Sequence, residues 1–346
     1  MHYRVSIYNF FSRRFREHGW ELVVLTNELQ SQNRTSCDFD LIERPFNFSH
    51  YRSEILRLNP AVVILFLHLK DVILWPLLHW LKITRRPVVL WTKARNLDDP
   101  DNKLRNAFFD YVHLLSDGLI LYSSSLIRHI PESCRGKVFI AANTINFEDF
   151  PSVPESKADI KRDLGMDFQK IVLFVGRIGE EHNRKKVDHL IDIFRDLNRT
   201  DVGLVIVGSG LGDDLRTRMN PSNTRYLGEI HDSDNVQISR VFKMADICSI
   251  PGHVGLGLNQ AFFWGLPMVT ESGNQPPEIE YLKNGQNGFI VPEGDRLALR
   301  DRLLFLIDND DERRRMSDNA RRDILANASI DGMFNGFLSC VTLVSR

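Results

Sequence analysis

Short apolar runs alternate with amphipathic segments along most of this 346-residue chain, and this alternation constrains its fold most strongly. The apolar runs predict strands at residues 21–26, 39–42, 61–67, 87–91, 118–122, 138–141, 171–175, 203–207, 225–227, 247–250, 268–270 and 289–291. The segments between them predict helices at residues 52–58, 72–82, 103–115, 187–197, 213–219, 235–244 and 258–264. Continuous apolar runs are typical of parallel strands that are buried on both faces. The sequence therefore predicts an α/β protein with doubly wound parallel sheets.

One proline-bearing segment interrupts the alternation. Residues 151–160 have the sequence PSVPESKADI, which is typical of a linker. We expect an N-terminal Rossmann-like domain over residues 1–150, this linker, a C-terminal Rossmann-like domain over 161–325, and a closing helix over 326–346. We also expect the carboxyl ends of both sheets to face a cleft, because open α/β sheets bind ligands at those ends.

Composition and charge narrow the class of protein. The formal net charge is −1, so no overall field attracts nucleic acid, which is not an expected partner. The four cysteines lack paired spacing and predict neither a zinc site nor a disulfide framework. The apolar stretch 61–81 holds Lys70 and Asp71 at its centre, where each charge would cost about 3 kcal/mol in a bilayer. With no signal peptide visible in the first twenty residues, a cytoplasmic protein is expected.

The densest glycine and proline pattern lies in residues 249–295. Glycines at 252, 255 and 257 open an apolar segment of helical length at residues 258–264, and Gly265 and Pro267 end it. A glycine-rich turn from a strand into a helix presents backbone N–H groups at the positive end of the helix dipole. Such a turn suits a phosphate group.

Two further loops follow predicted strands in the same half of the chain. Arg177 follows Gly176 just after the strand at 171–175, and Lys185 precedes the helix at 187–197. These two cations are suited to clamp a diphosphate, although a solvated basic loop would also account for the run Arg184 to Lys186. The loop after the next strand contains Gly208 and Gly210, which on their own indicate only a tight turn.

Several motifs in order resemble one known family. They begin FVGRI, IVGSG, YLGEI and ADICSIPG, and continue with GLGLNQAFFWGLPMVT and PPEIEYLKNGQNGFIV. Together these motifs resemble the carboxyl-terminal domain of GT-B glycosyltransferases of the GT4-like superfamily, and the match covers most of residues 60–340. The resemblance implies a nucleotide-sugar site in which Arg177 and Lys185 hold the diphosphate and Gly255 and Leu256 face the phosphates. It also places Gly208, Gly210 and Gln260 near the nucleotide.

The chain departs from this family at two acidic positions. The family places two glutamates eight residues apart around the phosphate loop, and here Gly252 and Gln260 occupy those positions. Gln260 retains hydrogen-bonding capacity toward a ribose but carries no charge. The resemblance makes Glu278 a candidate catalytic acid.

Three further residues are candidates with competing explanations. The resemblance places His68, at the end of the strand at 61–67, near the reacting sugar; a structural role for this histidine is equally consistent with the sequence. Lys93 follows the next strand and would meet an anionic substrate, or else lie on the surface. His253 is new to the family pattern, and an incidental loop residue is the simpler explanation.

The N-terminal residues do not follow the family pattern of a strand, a glycine-rich loop and a helix. Residues 4–8 alternate as a strand would, whereas Val5, Tyr8 and Phe11 (or Phe15) form a helical stripe. We favour the helix, which leaves the N-terminal domain without its first strand.

The resemblance implies a glycosyltransferase that moves a sugar from a UDP-, GDP- or ADP-linked donor to a saccharide or lipid-linked acceptor. Retention of configuration, no metal and no further cofactor are expected. The missing glutamates favour an alternative, a degenerate subunit that binds nucleotide or a partner without turnover. The predicted helix 72–86 places tryptophans beside Lys82, Arg85 and Arg86, which suits peripheral contact with an anionic membrane as well as ordinary packing on a sheet.

Overall fold

The computed structural model describes residues 4–27, 36–67, 71–97, 99, 101–179, 184–230 and 234–346. It divides into two compact units. Unit 1 comprises residues 1–146 and 328–346, and unit 2 comprises residues 147–327. The expected linker 151–160 therefore lies inside unit 2, and its last residues begin a helix.

The described residues form twelve α-helices and twelve β-strands. The helices are α1 (Arg4–Glu17), α2 (Phe48–Leu58), α3 (Leu74–Ile83), α4 (Lys103–Leu115), α5 (Lys157–Asp163), α6 (Val187–Asp196), α7 (Asp213–Arg218), α8 (Val236–Met244), α9 (Leu256–Phe263), α10 (Arg296–Asp308), α11 (Asp310–Asn327) and α12 (Ile330–Val344). The strands are β1 (Val23–Thr26), β2 (Asp40–Glu43), β3 (Val63–Phe66), β4 (Val88–Thr92), β5 (Gly118–Leu121), β6 (Val138–Ile140), β7 (Lys170–Val175), β8 (Val202–Val207), β9 (Thr224–Tyr226), β10 (Ile247–Ser249), β11 (Met268–Glu271) and β12 (Gly288–Val291).

Unit 1 is built on a parallel sheet in the order β3-β4-β5-β6, with a separate parallel pair, β1-β2. Every residue of β4 and β5 is buried, as the continuous apolar runs predict. Helices α3 and α4 connect consecutive strands of this sheet, and α12 packs against β4, β5 and β6.

The N-terminal residues form helix α1, so the helical interpretation of that segment is confirmed. Its apolar stripe packs on α12, where the rings of Phe11 and Phe15 lie 5.5 and 4.9 Å from the ring of Phe334. Phe11 also meets Phe337 at 5.0 Å. A buried aromatic cluster therefore joins the two ends of the described chain within unit 1.

Unit 2 contains a six-stranded parallel sheet in the order β12-β11-β10-β7-β8-β9. Strand β7 pairs with β8 on one side and with β10 on the other. From β7 the chain first adds β8 and β9 on one side of the sheet, and then adds β10, β11 and β12 on the other side. The strand order therefore reverses between β7 and β10. Such a reversal leaves a crevice outside the carboxyl ends of the two strands.

Among the described residues, no helix is both long enough and apolar enough to cross a membrane.

Candidate functional site

The candidate site consists of the loops that follow β7, β8, β10 and β11 at the carboxyl edge of the unit 2 sheet. Gly176 and Arg177 follow β7, and the segment from Ile250 to Gly255 follows β10. These two loops flank the point at which strand order reverses. Open α/β sheets bind their ligands at that point, so the topology itself selects these residues.

Helix α9 begins beside this point without a side-chain cap. Gly255 is its N-cap residue, with φ 55° and ψ −154°, and Leu256 is its first helical residue. A glycine N-cap has no side chain to accept from the first-turn N–H groups, which therefore remain able to bind an anion. The His253 imidazole lies close by, since its Nδ1 is 3.8 Å from the position that a Cβ on Gly255 would take.

Lys185 lies beneath the same loop. Its Nζ donates hydrogen bonds to the carbonyl oxygens of His253 at 3.1 Å and Val254 at 3.3 Å. Its aliphatic stem crosses Gly176, where a Cβ would lie only 2.4 Å from the lysine Cδ. The structure thus brings Lys185 to both loops at the reversal point, although Lys185 is nine residues beyond Gly176 in the sequence.

Burial lowers the pKa of Lys185 from its ordinary 10.5 to about 8, even though the Glu278 carboxylate opposes that change. A lowered pKa means that the site lacks enough negative charge to compensate the desolvation of the ammonium group. An anionic ligand would supply that charge. Glu278 itself is buried in the 3₁₀ helix Pro277–Tyr281.

The backbone around Lys185 is bound to the loop that follows β10. The N–H of Gly252 donates to the Lys185 carbonyl at 3.1 Å, and the N–H of His253 donates to the Arg184 carbonyl at 2.7 Å. A Cβ at position 252 would lie 1.8 Å from the Arg184 carbonyl oxygen. Close backbone approach therefore excludes any side chain at the position where the family resemblance expects its first glutamate.

Gln275 holds the opposite side of this loop, and no sequence pattern pointed to its role. Its Nε2 donates to the carbonyl oxygens of Gly252 at 2.9 Å and Glu271 at 2.8 Å. Its Oε1 accepts from the N–H of Val254 at 3.2 Å. One side chain thus bridges the end of β11 to both ends of the segment that binds Lys185.

We expect Gln275→Ala to weaken binding of an anionic ligand at this site by about tenfold, because the loop that binds Lys185 loses its bridge to β11; tenfold corresponds to about 1.4 kcal/mol. Calorimetric titration with a nucleoside diphosphate measures the change. The control is Gln286→Ala, which removes an exposed glutamine from the same unit. Equal affinities in the two variants would show that Gln275 does not hold the loop.

The buried carboxylate of Glu271 binds Lys186, the residue that follows Lys185. Its carboxylate accepts from Lys186 Nζ at 2.9 Å and from the N–H of Gly294 at 2.9 Å, and it lies 2.5 Å from His189 Nδ1. Burial by itself would raise the pKa of Glu271, but these three partners together hold it below the ordinary value. The sequence-based strand ended one residue before Glu271, and no local pattern pointed to this cluster.

The two glycines after β8 have a structural explanation. A Cβ on Gly208 would lie 1.8 Å from the Gly176 carbonyl oxygen, and one on Gly210 would lie 1.9 Å from the Ile178 carbonyl oxygen. The loops after β7 and β8 therefore run against each other, and Ile178 donates to the Ser209 carbonyl at 2.7 Å. This packing accounts for both glycines without a ligand, so their contact with a nucleotide stays a prediction.

The remaining candidates lie in different places. Arg177 is exposed beyond β7, and Gln260 is half-buried on α9, five residues after Gly255. Lys93 is exposed after β4 in unit 1. His68 lies outside the described residues. Within the parts of the chain that the structure covers, no group of three or more His, Cys, Asp or Glu side chains is arranged to hold a metal ion.

Comparison with known proteins agrees with this geometry. Residues 169–309 match the family Glycosyl transferases group 1. The chain is 32% identical over 176 residues to a phosphatidyl-myo-inositol mannosyltransferase of Mycobacterium leprae, covering 49% of this chain and 44% of that protein. It is 24% identical to the Staphylococcus aureus capsular polysaccharide biosynthesis glycosyltransferase CapM, covering 74% of this chain and 72% of the relative.

The fold comparison extends over both units. The crystal structure of Anabaena HepE in complex with UDP-glucose superposes with a TM-score of 0.75 at 14% identity, covering 100% of this chain and 97% of that one. The fold is that of GT-B glycosyltransferases. The resemblance to the GT4-like superfamily, indicated by the sequence motifs, is confirmed by the family match over residues 169–309 and by the mannosyltransferase relative. The chain spans less than half the length of the mycobacterial mannosyltransferase, the first of these relatives.

Proposed function

We propose that this protein is a glycosyltransferase that moves a sugar from a nucleotide-sugar donor to a saccharide or lipid-linked acceptor. The observation that carries the proposal is the convergence of Lys185 and the uncapped start of α9 at the point where strand order reverses, with Arg177 following the adjacent strand. The combination of a buried cation and helix N–H groups suits a diphosphate. UDP is the first nucleotide to test, since the Anabaena relative of the same fold was solved with UDP-glucose.

In the proposed reaction, the bond between the sugar's anomeric carbon and the diphosphate oxygen breaks. A hydroxyl oxygen of the acceptor bonds to that carbon and releases its proton. Negative charge then develops on the departing nucleoside diphosphate, where Lys185, Arg177 and the α9 amides would stabilise it. These groups would do so without a metal ion, and retention of configuration is proposed from the family resemblance alone.

A second candidate function is nucleotide binding without turnover. It is favoured by one observation, namely that the backbone contact at Gly252 leaves no space for the carboxylate of the family pattern, while Gln260 replaces the other. The chain would then act as a degenerate subunit that binds nucleotide or a partner.

Two measurements distinguish these candidates. Calorimetric titration with UDP, GDP and ADP identifies the nucleotide, and a hydrolysis and transfer assay with the matching nucleotide-sugars follows. Sugar release or transfer supports the transferase. Binding without release, with any acceptor tested, supports the non-catalytic candidate. No binding of UDP, GDP or ADP would overturn the transferase and nucleotide binding alike, and would leave only a subunit that binds a partner.

We expect diphosphate binding to take up a proton at alkaline pH. At pH 8.5 about three quarters of Lys185 is neutral in the free protein, because its pKa there is about 8. A bound diphosphate favours the charged ammonium and raises the pKa, so up to about 0.7 proton enters per UDP bound, and affinity falls as pH rises above 8. Calorimetry at pH 8.5 in two buffers of different ionisation enthalpy measures the uptake. Uptake that persists in a Lys185→Gln protein would assign the proton to another group.

A further inference from the structure

Lys186, at the start of α6, has a left-handed backbone. Its φ and ψ are 51° and 45°, and it is the N-cap residue of the helix without a side-chain hydrogen bond to the first turn. Among the residues of unit 2 that the structure describes, Asn235 is the one other non-glycine residue with a positive φ. Lysine seldom adopts this conformation, because its Cβ then lies too close to the following carbonyl oxygen. A contact beyond the local backbone must therefore stabilise it.

The side chain of Lys186 makes that contact. Its Nζ lies 2.9 Å from Glu271 Oε2 and 2.8 Å from Glu293 Oε1, so one ammonium group bridges the end of β11 and the loop after β12. Burial by itself would lower the pKa of Lys186, but the carboxylates of Glu293 and Glu271 raise it above its ordinary value. The ammonium group is therefore charged throughout the neutral pH range, and both ion pairs can form.

Glu271 is the more fixed of the two acids. Its side chain has no exposed surface, and its carboxylate also accepts from the Gly294 N–H at 2.9 Å. His189, in the first turn of α6, places its Nδ1 2.5 Å from the same carboxylate. A buried polar network whose members are hydrogen-bonded makes the surrounding structure rigid. Glu271 therefore holds the residues at which α6 begins.

The conformation of Lys186 determines where Lys185 lies. The Lys185 carbonyl accepts from the Gly252 N–H at 3.1 Å, and the Lys185 Nζ donates to the carbonyl oxygens of His253 and Val254. That carbonyl belongs to the peptide group between Lys185 and Lys186. A change of φ at Lys186 would rotate this peptide group and break the bond to Gly252. The lysine under the loop after β10 thus depends on the backbone of its neighbour.

We propose that Glu271 is a positioning residue, which holds Lys186 in the left-handed conformation and thereby keeps Lys185 against the loop that follows β10. Glu271 acts through Lys186 and contacts no part of the nucleotide-sugar. The consequence for nucleotide affinity rests on the proposed function, in which Lys185 binds the diphosphate. The position of Lys185 does not rest on it and can be measured without a ligand.

Alanine and glycine at position 186 separate conformation from charge. Lys186→Ala and Lys186→Gly remove the same ammonium group, but only glycine adopts the left-handed conformation without steric cost. The pH dependence of Lys185 acetylation by acetic anhydride, followed by mass spectrometry of the full-length protein without nucleotide, gives the titration midpoint of Lys185. We expect about pH 8 in the unmodified protein and in Lys186→Gly. In Lys186→Ala the midpoint should rise by about one pH unit or more, because Lys185 leaves the loop and becomes solvated.

UDP affinity is the second measurement. Both variants leave Glu271 and Glu293 without the ammonium group, so the informative comparison is between alanine and glycine rather than with the unmodified protein. We expect UDP to bind Lys186→Ala about tenfold more weakly than Lys186→Gly in calorimetric titration at pH 7, the magnitude that the steric cost of one left-handed residue implies.

Glu271→Gln, made with lysine and with glycine at position 186, tests whether the acid acts through Lys186. With lysine present it should raise the Lys185 midpoint, whereas with glycine present it should leave the midpoint unchanged, since glycine needs no partner to stay left-handed. Asn235→Ala is the matched control, because Asn235 is left-handed at the start of α8, with φ 58° and ψ 15°. It should lower stability without moving the Lys185 midpoint.

Three outcomes would overturn the proposal. They are equal Lys185 midpoints in Lys186→Ala and Lys186→Gly, an equal effect of Glu271→Gln in the two backgrounds, and an equal rise of the midpoint in Asn235→Ala. Failure of the proposed function gives a different result. If the midpoints separate as expected but the unmodified protein binds no UDP, the positioning of Lys185 by Glu271 stands and diphosphate binding does not.

Discussion

Replacement of Lys185 by methionine is expected to weaken UDP binding by at least tenfold. The methionine fills the space of the lysine stem over Gly176 but removes the charge that lies 3.1 Å from the His253 carbonyl oxygen. A hydrogen bond to a charged group contributes about 1.5–3 kcal/mol, which corresponds to roughly 10- to 150-fold in affinity. Calorimetric titration with UDP at pH 7, where Lys185 is mostly charged, measures the effect.

Lys161→Met is the matched control. Lys161 is also partly buried, has a lowered pKa because of burial, and donates to two backbone carbonyls, those of Phe168 and Gln169. It lies on α5 and pairs with Asp246, which precedes β10, whereas Lys185 binds the loop that follows β10. Both variants should lose similar stability in thermal unfolding, but only Lys185→Met should lose affinity. Equal affinities would show that the Lys185 cation does not contact the diphosphate.

Most secondary-structure elements were predictable because each depends on its own segment of sequence. Helix α4 has the predicted bounds, and β4 and β5 were recognisable as apolar runs whose residues are all buried. The first turn of α2 was missed because the N-cap Asn47, whose side chain accepts from the His50 N–H, comes before a segment with little apolar periodicity. Its bounds therefore depended on a capping contact rather than on periodicity.

The N-terminal helix shows the limit of local patterns. The stripe of Val5, Tyr8 and Phe11 was sufficient to favour a helix over a strand. The partner of that stripe, Phe334 on α12, is more than 300 residues away in the sequence, and no periodicity points to it. Local sequence determined the element, whereas the packing of unit 1 determined where it lies.

Some residues of the candidate site likewise follow from local sequence patterns, whereas others depend on contacts between distant segments. Arg177, Lys185 and Gly255 could be named as candidates because cations and glycines at strand ends have a recognisable pattern. Gln275 and Glu271 were not, because each acts through contacts with residues from other loops, and a glutamine or glutamate at a strand end has many uses. The sequence likewise showed only that Gly252 replaces a glutamate of the family pattern. The structure explains this glycine by its close contact with the backbone of residues 184–185.

The close backbone contact at Gly252 leads to the second prediction with a large expected effect. Gly252→Glu restores the first acidic residue of the family pattern, and we expect it to destabilise unit 2 and to weaken UDP binding. Its Cβ would lie 1.8 Å from the Arg184 carbonyl oxygen and 3.0 Å from the Lys185 Cα, so the backbone that carries Lys185 must move. Overpacking of this kind costs about 1–3 kcal/mol, and a domain of this size loses roughly 2–4 °C in Tm for each kcal/mol.

The matched variant is Gln260→Glu, which restores the second acidic residue on α9 with almost no change in volume. Gln260 is half-buried on α9, and glutamate has almost the same volume as glutamine, so the Tm of this variant should stay within about 2 °C of the unmodified protein. Thermal unfolding and UDP titration of both variants make the comparison. A Gly252→Glu protein as stable as Gln260→Glu, with unchanged UDP affinity, would mean that residues 184–185 do not pack on Gly252 in solution. In that case the missing carboxylate would need an explanation other than backbone contact.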